Sequence, residues 1–264
     1  MFRALLLAAS AVSVAGVVSH AQFEKNISVT FDGWNKMPDG SAELVFGYLN
    51  RNPDTVEIPI GTDNNVQPGG PDLGQPTTFL PGRQRIMFRI PVAKDFKGKF
   101  VWTLNYAGVT QVANASIDQN YSLDEGLEPP PTVRPGAAVT VKQSQPATLT
   151  PNIGPAPKRP ASEVESGARN RPAPQRLTIW WSKFRGPGSV AFGDGRVQEA
   201  EAPQPARARR EAPLGTFSVS CANPPDAVCG TTTARFSAPG TYVLRVVAVE
   251  RTSSNALMTV TVTP

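Results

Sequence analysis

The chain has 264 residues, 27 Pro, 22 Gly, 18% charged residues and a formal net charge of +5. That length suits one large or two ordinary domains, and so many Pro and Gly residues exclude long uninterrupted elements. A single histidine and two cysteines exclude most imidazole and thiolate chemistry.

The N-terminus reads as an address. Arg3 supplies a positive end, residues 4–18 are largely apolar, and Ser19-His20-Ala21 has the small-x-small form of a cleavage site. Residues 1–21 are therefore expected to be a secretory signal peptide. The apolar stretch falls short of the roughly 20 residues that span a bilayer. No later stretch is long and apolar enough to do so, which predicts a mature chain without a transmembrane segment. His20, the only histidine, falls inside the signal. A mature chain without it has no Ser-His-Asp or Cys-His machinery.

Residues 22–127 are expected to form a first β domain. Apolar residues alternate at Ile27, Val29 and Phe31, at Ala42, Leu44, Phe46 and Tyr48, and at Val56, Ile58 and Ile60. They alternate again at Ile86, Phe88 and Ile90, where Pro91 is expected to stop the strand, and at Phe100, Trp102 and Leu104. Residues 109–115 give a sixth candidate. A period of two puts one face on a core and the other in solvent, and short strands between Gly, Pro and Asn point to a sandwich. Residues 61–84 make a long connection, and long loops in compact domains often carry function. Asp63, Asn64, Asn65, Asp72 and Gln75 in it are candidate ligand-binding residues, able to ligate a cation or to hydrogen-bond a sugar. The same side chains also suit Asx turns within the loop. With GYLNRN before it and FVWTL after it, this stretch resembles a module of uncharacterised secreted bacterial proteins, and the resemblance implies a bacterial envelope setting.

Residues 128–264 are expected to form a second β domain. Leu177, Ile179 and Trp181 share one strand face, which makes Trp181 the core tryptophan and Trp180 the exposed one. Tyr242, Leu244, Val246 and Ala248 face one way after the Pro239-Gly240 turn, and Arg245 on the opposite face is expected to reach solvent. Met258, Val260 and Val262 alternate with Leu257, Thr259, Thr261 and Thr263 in the last strand. Tyr242 opens its strand where sandwich domains place a tyrosine whose hydroxyl ties back to nearby backbone.

The phrases WSKFRGPGSVAF (residues 181–192) and TTTARFSAPGTYVLRVVA (231–248) resemble a PKD-type immunoglobulin-like domain. The resemblance implies a second immunoglobulin-like β-sandwich. The Asp-Gly turn after the TYVLR strand is absent, since Val249-Glu250-Arg251 stands there, and an acidic turn is replaced by Asn152-Ile153-Gly154-Pro155. Two insertions, at 155–174 and 198–228, are rich in Pro, Ala, Arg and Glu, a composition that tends to stay disordered. The second contains TFSVSC as a short strand candidate, together with Cys221 and Cys229. An even cysteine count in an oxidising compartment favours a disulfide between those two.

Arg207, Arg209 and Arg210 form the densest basic run and are candidate contacts for an anionic polymer or surface. No P-loop or strand-helix GxGxxG context is present, so no nucleotide cofactor is expected, and neither is any other cofactor, metal site or catalytic residue. Asp118–Asp124 resembles the start of an EF-hand loop but has Leu123 where Gly is needed. The fold class expected is all-β: two immunoglobulin-like β-sandwiches with Pro-rich insertions. The function expected is a non-enzymatic binding or structural module, secreted or periplasmic, whose partner is an envelope protein or polysaccharide. One alternative is anionic-polymer binding through the Arg-rich insertions. The other is a carbohydrate-binding accessory module, or a weakly hydrolytic one, using exposed aromatics such as Trp34 or Trp180 and loop acids.

Overall fold

The computed structural model describes residues 26–123, 130–154, 176–193, 216–250 and 252–264. Its first half runs through β1 (Ile27–Lys36), β2 (Ala42–Asn50), β3 (Val56–Glu57), β4 (Asn64–Gln67), β5 (Thr78–Phe79), β6 (Gly82–Val92), β7 (Phe100–Tyr106) and β8 (Val109–Ala115). One sheet has the order β1-β2-β6, a second β4-β7-β8, and β3 pairs with β5. Aromatic residues fill the space between the sheets. Phe46 stacks on Phe88 at 4.8 Å, and the Trp102 ring meets Phe88 edge-on at 5.0 Å. Trp102 is fully buried, and its indole N–H donates to Asn64 Oδ1 at 2.9 Å. A buried indole needs such a partner.

The second half contains β9 (Thr132–Arg134), β10 (Val139–Lys142), β11 (Ala147–Leu149), β12 (Asn152–Gly154), β13 (Arg176–Arg185), β14 (Val190–Phe192), β15 (Thr216–Ala222), β16 (Thr232–Phe236), β17 (Gly240–Val249) and β18 (Ser253–Thr263). A five-stranded sheet, β10-β18-β17-β13-β15, faces a three-stranded one, β11-β16-β14. β10 runs parallel to β18, and the other pairs in these sheets are antiparallel. The result is an immunoglobulin-like β-sandwich. The inward set is the one that the period-2 alternation marks. Trp181 is buried and donates its indole N–H to the Gly230 carbonyl at 2.7 Å, while Trp180 on the other face is exposed. The Tyr242 hydroxyl donates to the Ala238 carbonyl at 2.9 Å, so the tyrosine pins the turn that precedes its own strand. Residues 216–222 form an edge strand against β13, and the Cys221–Cys229 disulfide, with a Cα–Cα distance of 5.8 Å, closes the loop after it.

Three expectations need correcting. The strand expected to stop at Pro91 continues to Val92, with Pro91 opposite Glu43. Among the described residues β6 pairs only with β2, so its other side is an edge, where a residue without an N–H is tolerated. The alternation at Val56, Ile58 and Ile60 yields only the two-residue β3, and Ile58 enters the core from beyond the strand. Arg245 does not reach solvent. It is 6% exposed, because the first half of the chain covers the face it points from.

Candidate functional site

The junction between the halves is built from the far end of β13 and the outer face of β17. The register of β13 on β17 shifts between Lys183 and Arg185, and this irregularity accompanies Phe184 packing into the first half's core. Phe184 is 1% exposed and Val243 from β17 packs beside the same cluster. The backbone joins in: Thr77 N–H donates to the Phe184 carbonyl at 3.1 Å. Lys183 Nζ lies 2.9 Å from Glu57.

Residues 61–84 form the socket. Asp72 receives two bonds from the Arg185 guanidinium, at 2.8 and 3.0 Å. The same guanidinium donates to the Gln75 carbonyl, at 2.7 Å from Nε. Gln75 is buried and its amide bonds back to the Pro71 carbonyl and to Leu73 N–H. Asn64 is buried as well. It donates to the Ile58 and Pro76 carbonyls while accepting from Trp102. Asp63 accepts from the Asn105 side chain at 3.2 Å, and the Asn65 Oδ1 is buried without a hydrogen-bond partner. The structure thus gathers four of these five side chains into bonds within the chain. Asp63, Asn64 and the Gln75 side chain brace the loop within the first half, while the Asp72 carboxylate, the Gln75 carbonyl and the Thr77 N–H hold the other half. The Arg185 guanidinium holds the Asp72 carboxyl below the usual carboxylate range.

Asp32 organises the other side of the junction. It sits at the register shift of β1, opposite a second shift in β2 at Gly47. Its carboxylate accepts from Ile86 N–H at 2.9 Å and from Arg83 at 2.5 Å. Ile86 adopts φ of 53°, uncommon for a β-branched residue. That turn aims the Ile86 carbonyl at the second half, where it accepts from Asn255 at 2.7 Å and from Arg245 at 3.4 Å. Arg245 also donates to the Arg85 carbonyl at 3.0 Å.

Beside these contacts lies an open cleft of about 780 Å³ between the halves. Arg83, Gln84 and Arg85 contribute one wall, and Trp180, Ser182 and Arg245 the other. No Asp or Glu is among the lining residues that the structure describes. Trp180 is 37% exposed there. The other expected aromatic, Trp34, is not available in the same way: it packs on the first core and donates its indole N–H to the Asp118 carbonyl at 2.5 Å. Arg207, Arg209 and Arg210 lie outside the described residues, as do His20 and the expected signal peptide. Among the described residues no group of three or more His, Cys, Asp or Glu side chains is placed to hold a metal, and no helix is long and apolar enough to cross a membrane.

The sequence alone did not indicate the cleft. Each of its walls belongs to a strand whose pattern reads as ordinary scaffold, and only the docking of the two halves makes a concavity.

No family model matches the chain, and no curated protein matches it. Among solved structures, the crystal structure of Dpr11 IG1 bound to DIP-gamma IG+IG2 is similar at 11% identity, with 90% of this chain and 96% of that chain covered and a TM-score of 0.26. The crystal structure of DIP-gamma IG1+IG2 gives 13% identity, 90% and 98% coverage and a TM-score of 0.24. At such scores the immunoglobulin-like assignment rests on the strand pairing described above.

Proposed function

We propose that this chain is a secreted or periplasmic binding module of the bacterial envelope, without catalytic activity, and that it binds through the cleft between its halves. The observation that carries the reading is the cleft itself: a preformed concavity with arginines on both walls, an exposed indole and no carboxylate among its described lining residues. Concave sites with a few convergent polar groups are where ligands usually bind. The chemistry supports binding rather than turnover. Cys221 and Cys229 are consumed in a disulfide, and the sequence has no histidine after His20. The expected signal peptide and the resemblance of the first half to secreted bacterial proteins support the location.

The test is co-sedimentation of residues 22–264 with isolated envelope material across a salt series. Retention that Trp180→Ala weakens several-fold is the expected result. Retention that ignores Trp180→Ala but collapses on reversing Arg207, Arg209 and Arg210 would move the binding function to that basic run. No retention at any salt would remove the envelope from the reading.

A further inference from the structure

We infer that the cleft is a receptor for an acidic saccharide, a sugar whose carboxylate is met by Arg245 and Arg85 and whose ring lies on Trp180. The inference rests on the cleft being the binding surface, and it names the ligand chemistry that surface fits.

The first ground is a buried charge without its counterpart. Arg245 is 6% exposed, and its Nη2 donates to two backbone carbonyls, those of Arg85 and Ile86. Its Nε is buried with no partner at all. Among the described residues no carboxylate lies within ion-pair distance of Arg245 or Arg85, whereas Arg83, Arg89, Lys183 and Arg185 each have one. A buried guanidinium is costly unless paired, and one lining a cleft gains its missing partner when an anion enters. Burial lowers the Arg245 pKa to about 10, so it still carries its charge at neutral pH.

The second ground is the shape and chemistry around that charge. The volume, about 780 Å³, lies in the range of small-ligand sites and suits a short oligosaccharide. Trp180 offers a flat apolar face with a polar edge, the surface on which the C–H face of a sugar ring lies. Gln84, Ser182 and Ser253 bring side chains that both donate and accept, as a polyol requires.

An acidic peptide strand is the competing occupant, because Arg83, Gln84 and Arg85 lie on β6, whose side away from β2 is unpaired among the described residues, and peptide strands add to such edges. The second-half wall is formed mainly by β13 and β17, interior strands with their ladder bonds already made, so it offers side chains and not backbone. The saccharide is inferred from those side chains, and the peptide arm of the titration below tests the alternative.

The experiment is calorimetric titration of residues 22–264 with trigalacturonate, its methyl ester, galactotriose and a Glu-Gly repeat peptide. The Arg245 side-chain N–H resonance is followed in parallel. Trigalacturonate is expected to bind and to shift that resonance. The ester and the neutral trisaccharide are expected to bind about tenfold or more weakly, the loss of a charge-assisted pair. Arg85→Gln and Trp180→Ala, both at exposed positions, are each expected to weaken binding by a similar factor without unfolding the chain. Equal binding of acid and ester, binding of the peptide alone, or no binding of trigalacturonate at low salt would each overturn the inference. Envelope retention without trigalacturonate binding would overturn it while leaving the binding function standing. Trigalacturonate binding without envelope retention would uphold the inference and remove the envelope from the proposed function.

Discussion

At the scale of single residues, the contacts that join the halves reuse side chains that look like ligands. Asp72 illustrates it. Its carboxylate takes two bonds from Arg185, and that pairing keeps its pKa below the ordinary value. A carboxyl whose pKa is lower folded than unfolded stabilises the fold fully above the unfolded value, about 3.9, and loses that contribution as pH falls through the folded one. Asp72 is half exposed, so the contribution is small, about 1 kcal/mol at most. Asp72→Asn should therefore lower stability slightly at pH 7 and make no difference at the acid end of the window, measured by denaturant unfolding at pH 7 and pH 3. An equal deficit at both pH values would show that the amide disturbs the loop for reasons unrelated to charge.

How much of this the sequence carries depends on the reach of each interaction. Trp180 and Trp181 sort correctly because a period of two is a local rule. Tyr242 is legible because its partner, Ala238, is four residues away. Arg245 obeys the same period and points outward as expected, yet the outward face is covered by residues some 160 positions earlier in the chain. Nothing within its own strand records that cover. Asp72 and Gln75 are polar loop residues by any local reading, and their partner Arg185 lies more than a hundred residues away. The fold class was legible, then, because strand alternation and turn residues are local. The site was not, because it exists only where the two halves meet.

At the scale of elements, paired irregularities in β1, β2 and β6 shape the junction. The three strands would otherwise form a regular antiparallel sheet. Asp32 interrupts β1, and Gly47 marks the shift in β2 that opposes the turn at Ile86. Gly47 has no freedom to be larger: an added Cβ would stand 2.3 Å from Asp32 Oδ2 and 2.6 Å from the Gln84 carbonyl. Conserving the bulge thus requires a residue without a side chain where the carboxylate crosses the sheet. Gly47→Ala should push Asp32 off the Ile86 N–H and destabilise the protein by about 1–3 kcal/mol, the usual cost of overpacking. The loss of Ile86 amide protection in hydrogen exchange would locate the damage at the bulge. A stable variant with Ile86 still protected would mean that Asp32 does not hold the turn.

At the scale of the molecule, the two sandwiches are not beads on a string. Each has its own core, but Phe184 from the second is buried in the first, and backbone, ion-pair and side-chain contacts surround it. Interfaces of this kind couple unfolding, because neither half can open without exposing an aromatic ring that belongs in the other. The intact protein should therefore unfold in one cooperative transition, followed by Trp102 and Trp181 fluorescence with denaturant. Phe184→Ala removes the shared ring, and truncating a buried phenylalanine costs about 3–5 kcal/mol. Here that loss falls on the coupling as well as on the core. The variant should show two separated transitions, and its cleft should lose the fixed spacing between Arg85 and Trp180. A single transition shifted to lower denaturant would instead mean that the surrounding contacts of Arg185, Lys183 and Arg245 couple the halves without the ring. In that case the cleft's geometry depends on the polar ring of the junction, and Arg185→Ala, not Phe184→Ala, becomes the substitution that opens it.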